Sequence, residues 1–166
     1  REAAVKHEQG RAEMRRRNNA AAEPLFRAAL ALREEVLGAV DGATLESVHW
    51  LAFVLRLQGK LEEAEALFRR ALEGYEATLG ATDEYTLRSI SNLAAVLQKQ
   101  GKLEEAEAVF WRLLEGREAT LGATHKDTLF IISKLAMVLK KQGKLEGAEA
   151  LFRRAMEGYE ATLGAT

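Results

Sequence analysis

Apolar residues recur with helical spacing in three successive stretches of the chain. In the middle stretch, the apolar positions are Leu87, Ile90, Leu93, Ala94 and Leu97. Residues three, four and seven apart lie on one face of an α-helix, so this stripe predicts an amphipathic helix. The same stripe occurs 42 residues earlier, from Leu45 to Leu55, and 42 residues later, from Leu129 to Leu139. The pattern therefore predicts the same helix three times.

Threonine and glycine mark the expected ends of this first helix. The threonines that precede the stripes, and that we predict as N-caps, are Thr44, Thr86 and Thr128, with Asp127 competing in the last case. The glycines that follow the stripes are Gly59, Gly101 and Gly143. Glycine tolerates the left-handed conformation that often ends a helix, so we expect the first helices to end there.

A second apolar stripe follows each glycine almost at once. Its members after Gly59 are Leu61, Ala64, Leu67, Phe68, Ala71, Leu72 and Tyr75. We expect this second helix to end near Gly80, and its equivalents near Gly122 and Gly164. A connection of two or three residues forces two helices into an antiparallel hairpin. The sequence thus predicts a stack of helix pairs.

The 42-residue period extends over the whole chain. The segment Gly59–Ala66 returns at Gly101 and Gly143, and a fixed period of this length is typical of stacked helical repeats. We divide residues 1–166 into a degenerate first repeat, 1–42, and three further repeats, 43–84, 85–126 and 127–166. The first repeat has a weak stripe over residues 2–16 and a regular second helix over Ala20–Leu37, which suits a terminal repeat that faces water.

The last repeat has the residues of an internal one. Leu151, Phe152, Met156 and Leu163 occupy positions that we expect to be covered, either by more repeats or by a partner. These features predict an all-α fold, a right-handed α-solenoid of antiparallel helix pairs with about four repeats, in one domain.

Composition narrows the possible partners and chemistry. The formal net charge is −1, so no global attraction to nucleic acid or an anionic membrane is implied. There is no Cys, which excludes thiolate chemistry, and no apolar run approaches the roughly 20 residues that span a bilayer. The three histidines fall in different repeats, and the glutamates at the start of each second helix recur as solvated residues. We therefore expect no catalysis, no metal and no cofactor.

Small and aromatic residues alternate along the second helix at fixed positions. The series that carries the pattern is Ala64, Phe68 and Ala71, with Ala52 on the first helix opposite. It resembles the tetratricopeptide repeat, whose usual form has about 34 residues. The 42-residue form, with Gly-Lys-Leu-Glu-Glu-Ala-Glu opening the second helix, looks like the repeats of kinesin light chain and nephrocystin-3-like proteins. This resemblance implies that the first helices line a concave inner surface that binds protein or peptide partners.

The first helices differ among repeats, whereas the second helices are nearly constant, so we place function on the first helices. The predicted partner-binding residues on the concave side are His49, Trp50, Phe53, Arg56, Arg88, Asn92, Gln98, Lys99, Phe130, Lys134, Met137 and Lys141. Basic residues outnumber acidic ones there, which favours an acidic peptide with an aromatic anchor. Alternatively, Trp50 and Phe53 pack between adjacent first helices, and Met137 fills the core.

One residue on the outer side departs from the repeat. Trp111 stands where the neighbouring repeats have Arg69 and Arg153, so we consider it a possible convex contact.

The leading hypothesis is a non-catalytic protein–protein interaction scaffold, cytoplasmic by default, that binds an extended acidic and aromatic peptide. The alternative is a structural subunit that docks into a large assembly through its convex face and its open C-terminal end. Single-stranded RNA binding is a third, less favoured reading, because stacking aromatics are sparse. No membrane insertion is expected.

Overall fold

The computed structural model describes residues 1–164, apart from the side chain of Leu163, and its regular elements in that range are all α-helices. The first helices of the four repeats are α1 (Glu2–Arg15), α3 (Gly42–Leu57), α5 (Glu84–Gln100) and α7 (Lys126–Lys141). The second helices are α2 (Asn19–Leu37), α4 (Leu61–Leu79), α6 (Leu103–Leu121) and α8 (Leu145–Leu163). The alternation of first and second helices confirms the all-α prediction.

The glycine between the two helices of a pair fixes the connection. Gly59, Gly101 and Gly143 have φ of +80°, +77° and +79°, in the left-handed region that favours glycine. The second helices begin two residues after each glycine, 42 residues apart. Glycine therefore ends each first helix as the sequence predicts, and it turns the chain into the next helix.

The prediction of threonine N-caps is wrong. The capping residues are Asp41 and His125, with Asp83 accepting a hydrogen bond from Tyr85 N at 2.8 Å in the third repeat. These residues lie three positions before each threonine, and an aspartate in that position competes strongly for the N-cap. The threonines are buried in the first turn instead, and the Thr86 hydroxyl donates to Gly80 O at 2.8 Å.

The chain forms two compact units, the first comprising Arg1–Asn92 and the second the residues from Leu93 onward. In the first unit, α1 packs on α2, α2 on α3, and α3 on α4. In the second unit, α7 packs on both α6 and α8. Phe26 and Phe68 are fully buried in the core of the first unit, where each stabilises the fold by about 1.5–3 kcal/mol. Organisation as a single four-repeat domain stays a prediction.

Helices within a pair fit together through a large residue opposite a glycine. A Cβ on Gly74 would lie 2.4 Å from Leu45 Cδ2, and one on Gly158 would lie 2.4 Å from Leu129 Cδ2. The first repeat exchanges the sizes, with Ala3 at the leucine position and Leu32 at the glycine position. Ala3 and Leu32 line one cavity of about 290 Å³. The first repeat therefore has the large residue on its second helix and the small one on its first, beside this cavity.

The first repeat is tied to the second by a buried polar cluster. Arg33 on α2 donates to Ala43 O at 2.6 Å and to Ser47 Oγ at 2.9 Å. His7 Nδ1 lies 3.3 Å from Ser47 Oγ, and Arg33 Nη1 lies 3.5 Å from Glu46 Oε2. His7, whose Nε2 lies 3.6 Å from Glu46 Oε2, is the main group that holds the pKa of the Glu46 carboxyl below its usual value. These contacts explain how the weak apolar stripe of α1 still yields a packed helix.

Candidate protein-interaction site

Apart from His49, the predicted contact residues lie on the solvent-facing side of α3, α5 and α7, beside their buried apolar stripes. The corresponding helical positions are Trp50, Asn92 and Lys134, followed by Phe53 and Met137, then by Arg56 and Gln98. We call the exposed side of these three helices the first-helix face, with Arg88, Lys99, Phe130, Lys140 and Lys141 as its further members. The structure describes it separately in each compact unit.

Trp50 is the centre of an aromatic group in the first unit. Its ring stacks on Phe26 with centroids 6.1 Å apart and planes 10° apart, and Phe53 meets it edge-on at 5.9 Å. The Arg11 guanidinium lies 5.3 Å from the Trp50 centroid. Trp50 is therefore partly committed to packing against the first repeat, with its remaining surface half-exposed.

His49 does not lie on the surface where the sequence prediction placed it. The structure buries it, with Nδ1 3.4 Å from Ser89 Oγ and the ring edge-on to Phe68 at 5.5 Å. Burial, reinforced by the nearby Arg88 charge, lowers the pKa of His49 to about 3. His49 is thus a neutral core residue at neutral pH, and its side chain is not exposed for direct contact with a partner.

Two arginines in the first unit have no carboxylate partner among the described residues. Arg56 is half-buried, its guanidinium lies 4.7 Å from the Phe53 centroid, and burial lowers its pKa. Arg88 lies 5.0 Å from the Tyr85 centroid. The Nε–H groups of both arginines are buried and donate to no acceptor among the described residues. Neither cation has a counter-charge among the described residues, and a ligand carboxylate would supply one.

The second unit presents a similar combination of cations and apolar side chains. Phe130 is 56% exposed, and Lys134 Nζ lies 5.1 Å from its ring centroid. Met137 is exposed too, so the structure does not use it as core filler. Within residues 1–164, no ion pair involves the face lysines, which are Lys99, Lys134, Lys140 and Lys141.

Cations on the second helices and at their starts are, in contrast, engaged with carboxylates. Lys60 Nζ lies 2.7 Å from Glu23 Oε2, and Lys144 Nζ lies 2.6 Å from Glu107 Oε2. The lysine ammonium group is the main cause that lowers the pKa of each of these glutamates. Each pair joins one second helix to the next. The first-helix face therefore differs from the outer side in having cations without partners.

Trp111 has a structural explanation that the sequence prediction missed. In the first repeat, Arg27 at the equivalent position reaches Glu63 of the next second helix at 2.6 Å. Between the second helices of the third and fourth repeats, Trp111 stands at the arginine position and Gly147 at the glutamate position. Both members of the ion pair are therefore replaced together. Trp111 is 44% exposed, and its indole makes a minor contribution to lowering the pKa of the Glu107 carboxyl. A contact through Trp111 stays a prediction.

The polar cluster around His7 was the main feature that sequence reasoning overlooked. Its signal is present, because His7 and His49 lie one period apart, as do Ser47 and Ser89. The cluster also changes the charge of the predicted site. Glu46 is engaged with His7 and Arg33, so it does not oppose the cations of the first-helix face.

Other kinds of site find no support in the described part of the chain. Among residues 1–164, no group of three or more His, Cys, Asp or Glu side chains is arranged to hold a metal ion. None of the helices in that range has the length and apolar character needed to cross a membrane.

A sequence profile of the tetratricopeptide repeat matches residues 1–77, 43–110 and 85–161. The chain belongs to the tetratricopeptide-repeat family. Comparison with curated protein sequences finds no significant match. The tetratricopeptide fold indicates a protein–protein interaction scaffold, because stacked helical repeats expose extended binding surfaces.

Solved structures agree with this assignment. BtubC (BKLC) from P. vanneervenii is 20% identical, with a TM-score of 0.89 over 98% of this chain and 65% of its own. A putative kinesin light chain from Podosopora anserina, with nearly identical repeats, is 24% identical, with a TM-score of 0.84 over 96% of this chain and 76% of its own. The tetratricopeptide chain thus spans about two thirds to three quarters of these relatives, and it has the all-α solenoid fold of kinesin light chain type.

Proposed function

We propose that this tetratricopeptide protein is a non-catalytic scaffold that binds an extended acidic peptide with an aromatic side chain on its first-helix face. The observation that carries the proposal is the contrast in charge pairing. Arg56, Arg88 and Lys134 have no carboxylate partner among the described residues, whereas cations of the second helices such as Lys60 and Lys144 are paired. A peptide carboxylate would supply the missing partners.

Apolar side chains beside the cations would contact the aromatic residue of the peptide. Phe130 and Met137 are exposed, and Phe53 lies under the Arg56 guanidinium. Buried aromatic contacts supply most of the energy in peptide interfaces, whereas charges speed encounter and set register. An acidic peptide without an aromatic residue should therefore bind weakly, and so should an aromatic peptide without acidic residues.

The test uses fluorescence anisotropy with an acidic peptide library that carries one fixed Trp or Phe. The variant R56Q/R88Q keeps the stacked stems but removes two unpaired charges, and we expect at least tenfold weaker binding, because a hydrogen bond to a charged group contributes about 1.5–3 kcal/mol. The control variant R27Q/K60Q removes two paired charges of the outer side. Equal losses in both variants would contradict the proposal.

RNA is distinguished from a peptide by salt dependence. If the cations bind phosphates, the affinity for single-stranded RNA falls steeply as salt rises, with a slope of about −0.7 per phosphate contacted. We expect tight binding to the peptide library and only weak, salt-sensitive binding to RNA. A cytoplasmic location stays a prediction.

The alternative role, a structural subunit that docks into a large assembly through its convex face and its C-terminal end, stays a prediction. Tyr159 and Met156 on α8 are exposed, although the equivalent residues of an earlier repeat, Tyr75 and Leu72, are buried. The side chain of Leu163, which the sequence also assigned to this surface, lies outside the described residues.

A further inference from the structure

The outer side of the third repeat carries an exposed tryptophan in line with two carboxylates. Successive positions four, three and four residues apart along α6 are occupied by Glu104, Ala108, Trp111 and Glu115. Residues with this spacing are neighbours on one face of a helix. All four are exposed, and Trp111 is 44% exposed. We call this surface the tryptophan stripe.

The tryptophan position holds an arginine in the other three repeats, and there the charge is paired within the chain. Each arginine lies close to the glutamate four residues before it, at 2.9 Å for Arg27, 2.8 Å for Arg69 and 2.8 Å for Arg153. Arg27 also reaches Glu63 of the next second helix at 2.6 Å. The third repeat therefore lacks the cation that the others place at this point of the outer side.

Without that arginine, the tryptophan stripe is more acidic than the corresponding stripes of α4 and α8. Those two stripes each have an arginine between two glutamates, whereas Glu104 and Glu115 have only Ala108 and Trp111 between them. No ion pair involves Glu104 or Glu115 among the residues that the structure describes. The nearby Lys144 is already paired with Glu107 at 2.6 Å. Two carboxylates without a counter-charge therefore flank the indole ring.

The Trp111 ring also lacks a cation over its face, which other aromatic rings of this chain have. Guanidinium or ammonium groups lie within 4.7–5.3 Å of the ring centroids of Trp50, Phe53, Tyr85 and Phe130. Within residues 1–164, no such contact involves Trp111. Tryptophan binds a cation over its face better than the other aromatic side chains do. The ring and its flanking carboxylates thus both favour a cationic partner.

The spacing along α6 specifies the spacing of the cations in an extended partner. With a rise of about 1.5 Å per residue, Trp111 lies about 10 Å along the helix axis from Glu104 and about 6 Å from Glu115. An extended chain advances about 3.3 Å per residue, so these intervals correspond to about three and two residues. A segment with the pattern Arg-x-x-Arg-x-Arg, running parallel to α6, places one guanidinium at each of the three positions.

We propose that the tryptophan stripe docks an extended basic segment of a partner protein, with its central arginine on the Trp111 ring and its outer arginines on Glu104 and Glu115. Arginine suits all three positions, because its planar guanidinium stacks on an aromatic ring and pairs with a carboxylate through two hydrogen bonds. This site differs from the first-helix face in its location and in the charge of its partner. Failure of either proposal therefore leaves the other one standing.

The test measures the fluorescence anisotropy of a labelled peptide, Arg-Ser-Ser-Arg-Ser-Arg, with the full chain at low ionic strength. The variant W111R/G147E installs the residue types found in the first and second repeats, Arg27 and Glu63, and so restores an internal ion pair of the kind seen there. We expect it to fold and to bind the peptide about tenfold more weakly, because an attractive ring is replaced by a like charge. The variant E104Q/E115Q should bind about fivefold more weakly, through the loss of two exposed ion pairs.

Two controls separate this site from general attraction between charges. R56Q/R88Q, which removes charges of the first-helix face, should leave the affinity for the basic peptide unchanged. The permuted peptide Arg-Arg-Arg-Ser-Ser-Ser has the same charge and should bind wild type several-fold more weakly. Absence of binding, equal affinity of wild type and W111R/G147E, or equal affinity of the two peptides would overturn the proposal. Self-association of wild type that W111R/G147E abolishes would overturn it too, since a second copy would then be the occupant.

Discussion

Arginine and lysine residues of this chain fall into two environments, and the difference lies in the neighbouring side chains. Arg27 has a carboxylate on each side, from Glu23 at 2.9 Å and Glu63 at 2.6 Å. Arg56 instead lies on the Phe53 ring, half-buried and with an unpartnered Nε. Residue type alone does not distinguish the two, so the sequence could predict a basic surface but not which cations are available.

The sequence predicted Trp50 and Phe53 as contacts and left open that they pack internally. The structure shows both properties in Trp50, because one ring face meets Phe26 while the side chain stays half-exposed. The structure also buries His49 in the core, where it contacts Ser89 and Phe68 on neighbouring helices. Contacts between repeats decide these cases.

Burial of His49 predicts a loss of stability in acid. Its pKa is about 3 in the folded chain and about 6.5 when unfolded, so the unfolded chain binds more protons between these pH values. The stabilising contribution is therefore complete above pH 6.5 and is lost as the pH falls towards 3. From pH 7 to pH 5, we expect the free energy of unfolding to fall by about 2 kcal/mol through this residue.

Urea unfolding of wild type and H49Q at pH 7 and pH 5 measures that contribution. The variant is expected to be less stable at pH 7 but to lose about 2 kcal/mol less than wild type on acidification. Parallel losses in both proteins would show that His49 is not held neutral.

Glycines inside the second helices are predicted to respond in opposite ways to alanine. G74A places a Cβ 2.4 Å from Leu45 Cδ2, and we expect overpacking to cost about 1–3 kcal/mol. G147A meets only Leu139 Cδ1, at 3.2 Å, and the other internal repeats carry Glu63 and Glu105 there. This variant should gain up to about 1 kcal/mol of helix propensity.

Denaturant midpoints of the two variants provide the measurement. A stabilised G74A variant would mean that the contact between α3 and α4 is looser than the structure shows.

At the scale of helices, the 42-residue period predicts the order of the helices and their ends. It does not predict the residue at which each first helix begins. The glycines Gly59, Gly101 and Gly143 mark the ends correctly, because few residues adopt φ near +80° without strain. The threonine N-caps were wrong because Asp41, Asp83 and His125 also precede the stripes, and only the loop geometry decides between them. Where two residues that favour the N-cap position lie three positions apart, the sequence alone does not show which of them forms the cap.

The capping role of Asp83 can be measured directly. D83A removes the acceptor for Tyr85 N, and we expect a loss of about 1 kcal/mol in the free energy of unfolding, within a range of about 0.5–2 kcal/mol. D83N, which keeps a side-chain oxygen, should be nearly as stable as wild type. A loss in D83N as large as that in D83A would indicate that charge, not capping, is what matters at this position.

Ion pairs between successive second helices are expected to set register more than stability. Arg27 and Glu63 are both more than two-fifths exposed, and exposed pairs typically contribute about 0.2–1 kcal/mol. A double-mutant cycle with R27Q and E63Q in denaturant unfolding should give a coupling free energy in that range. A coupling above about 2 kcal/mol would require a much drier junction than the structure has.

At the scale of the whole molecule, the 42-residue repeat is sufficient to predict the fold. Family, helix order and helix-pair construction all follow from the 42-residue period and its small and aromatic positions. The sequence predicts the interaction surface less well than the fold, because the residues of that surface differ from one repeat to the next. Its identification depends on which cations lack partners, and that is visible only once neighbouring helices are in place.

Mapping where a bound peptide protects the chain tests the proposed first-helix face most directly. Hydrogen–deuterium exchange and carboxyl-to-lysine crosslinking of residues 1–166 would be measured with the tightest member of the acidic aromatic library. We predict crosslinks to Lys99, Lys134 or Lys141 and slowed exchange in α3, α5 and α7, with α4 and α6 unchanged. Crosslinks confined to the second helices, or a library in which no member binds, would contradict this prediction.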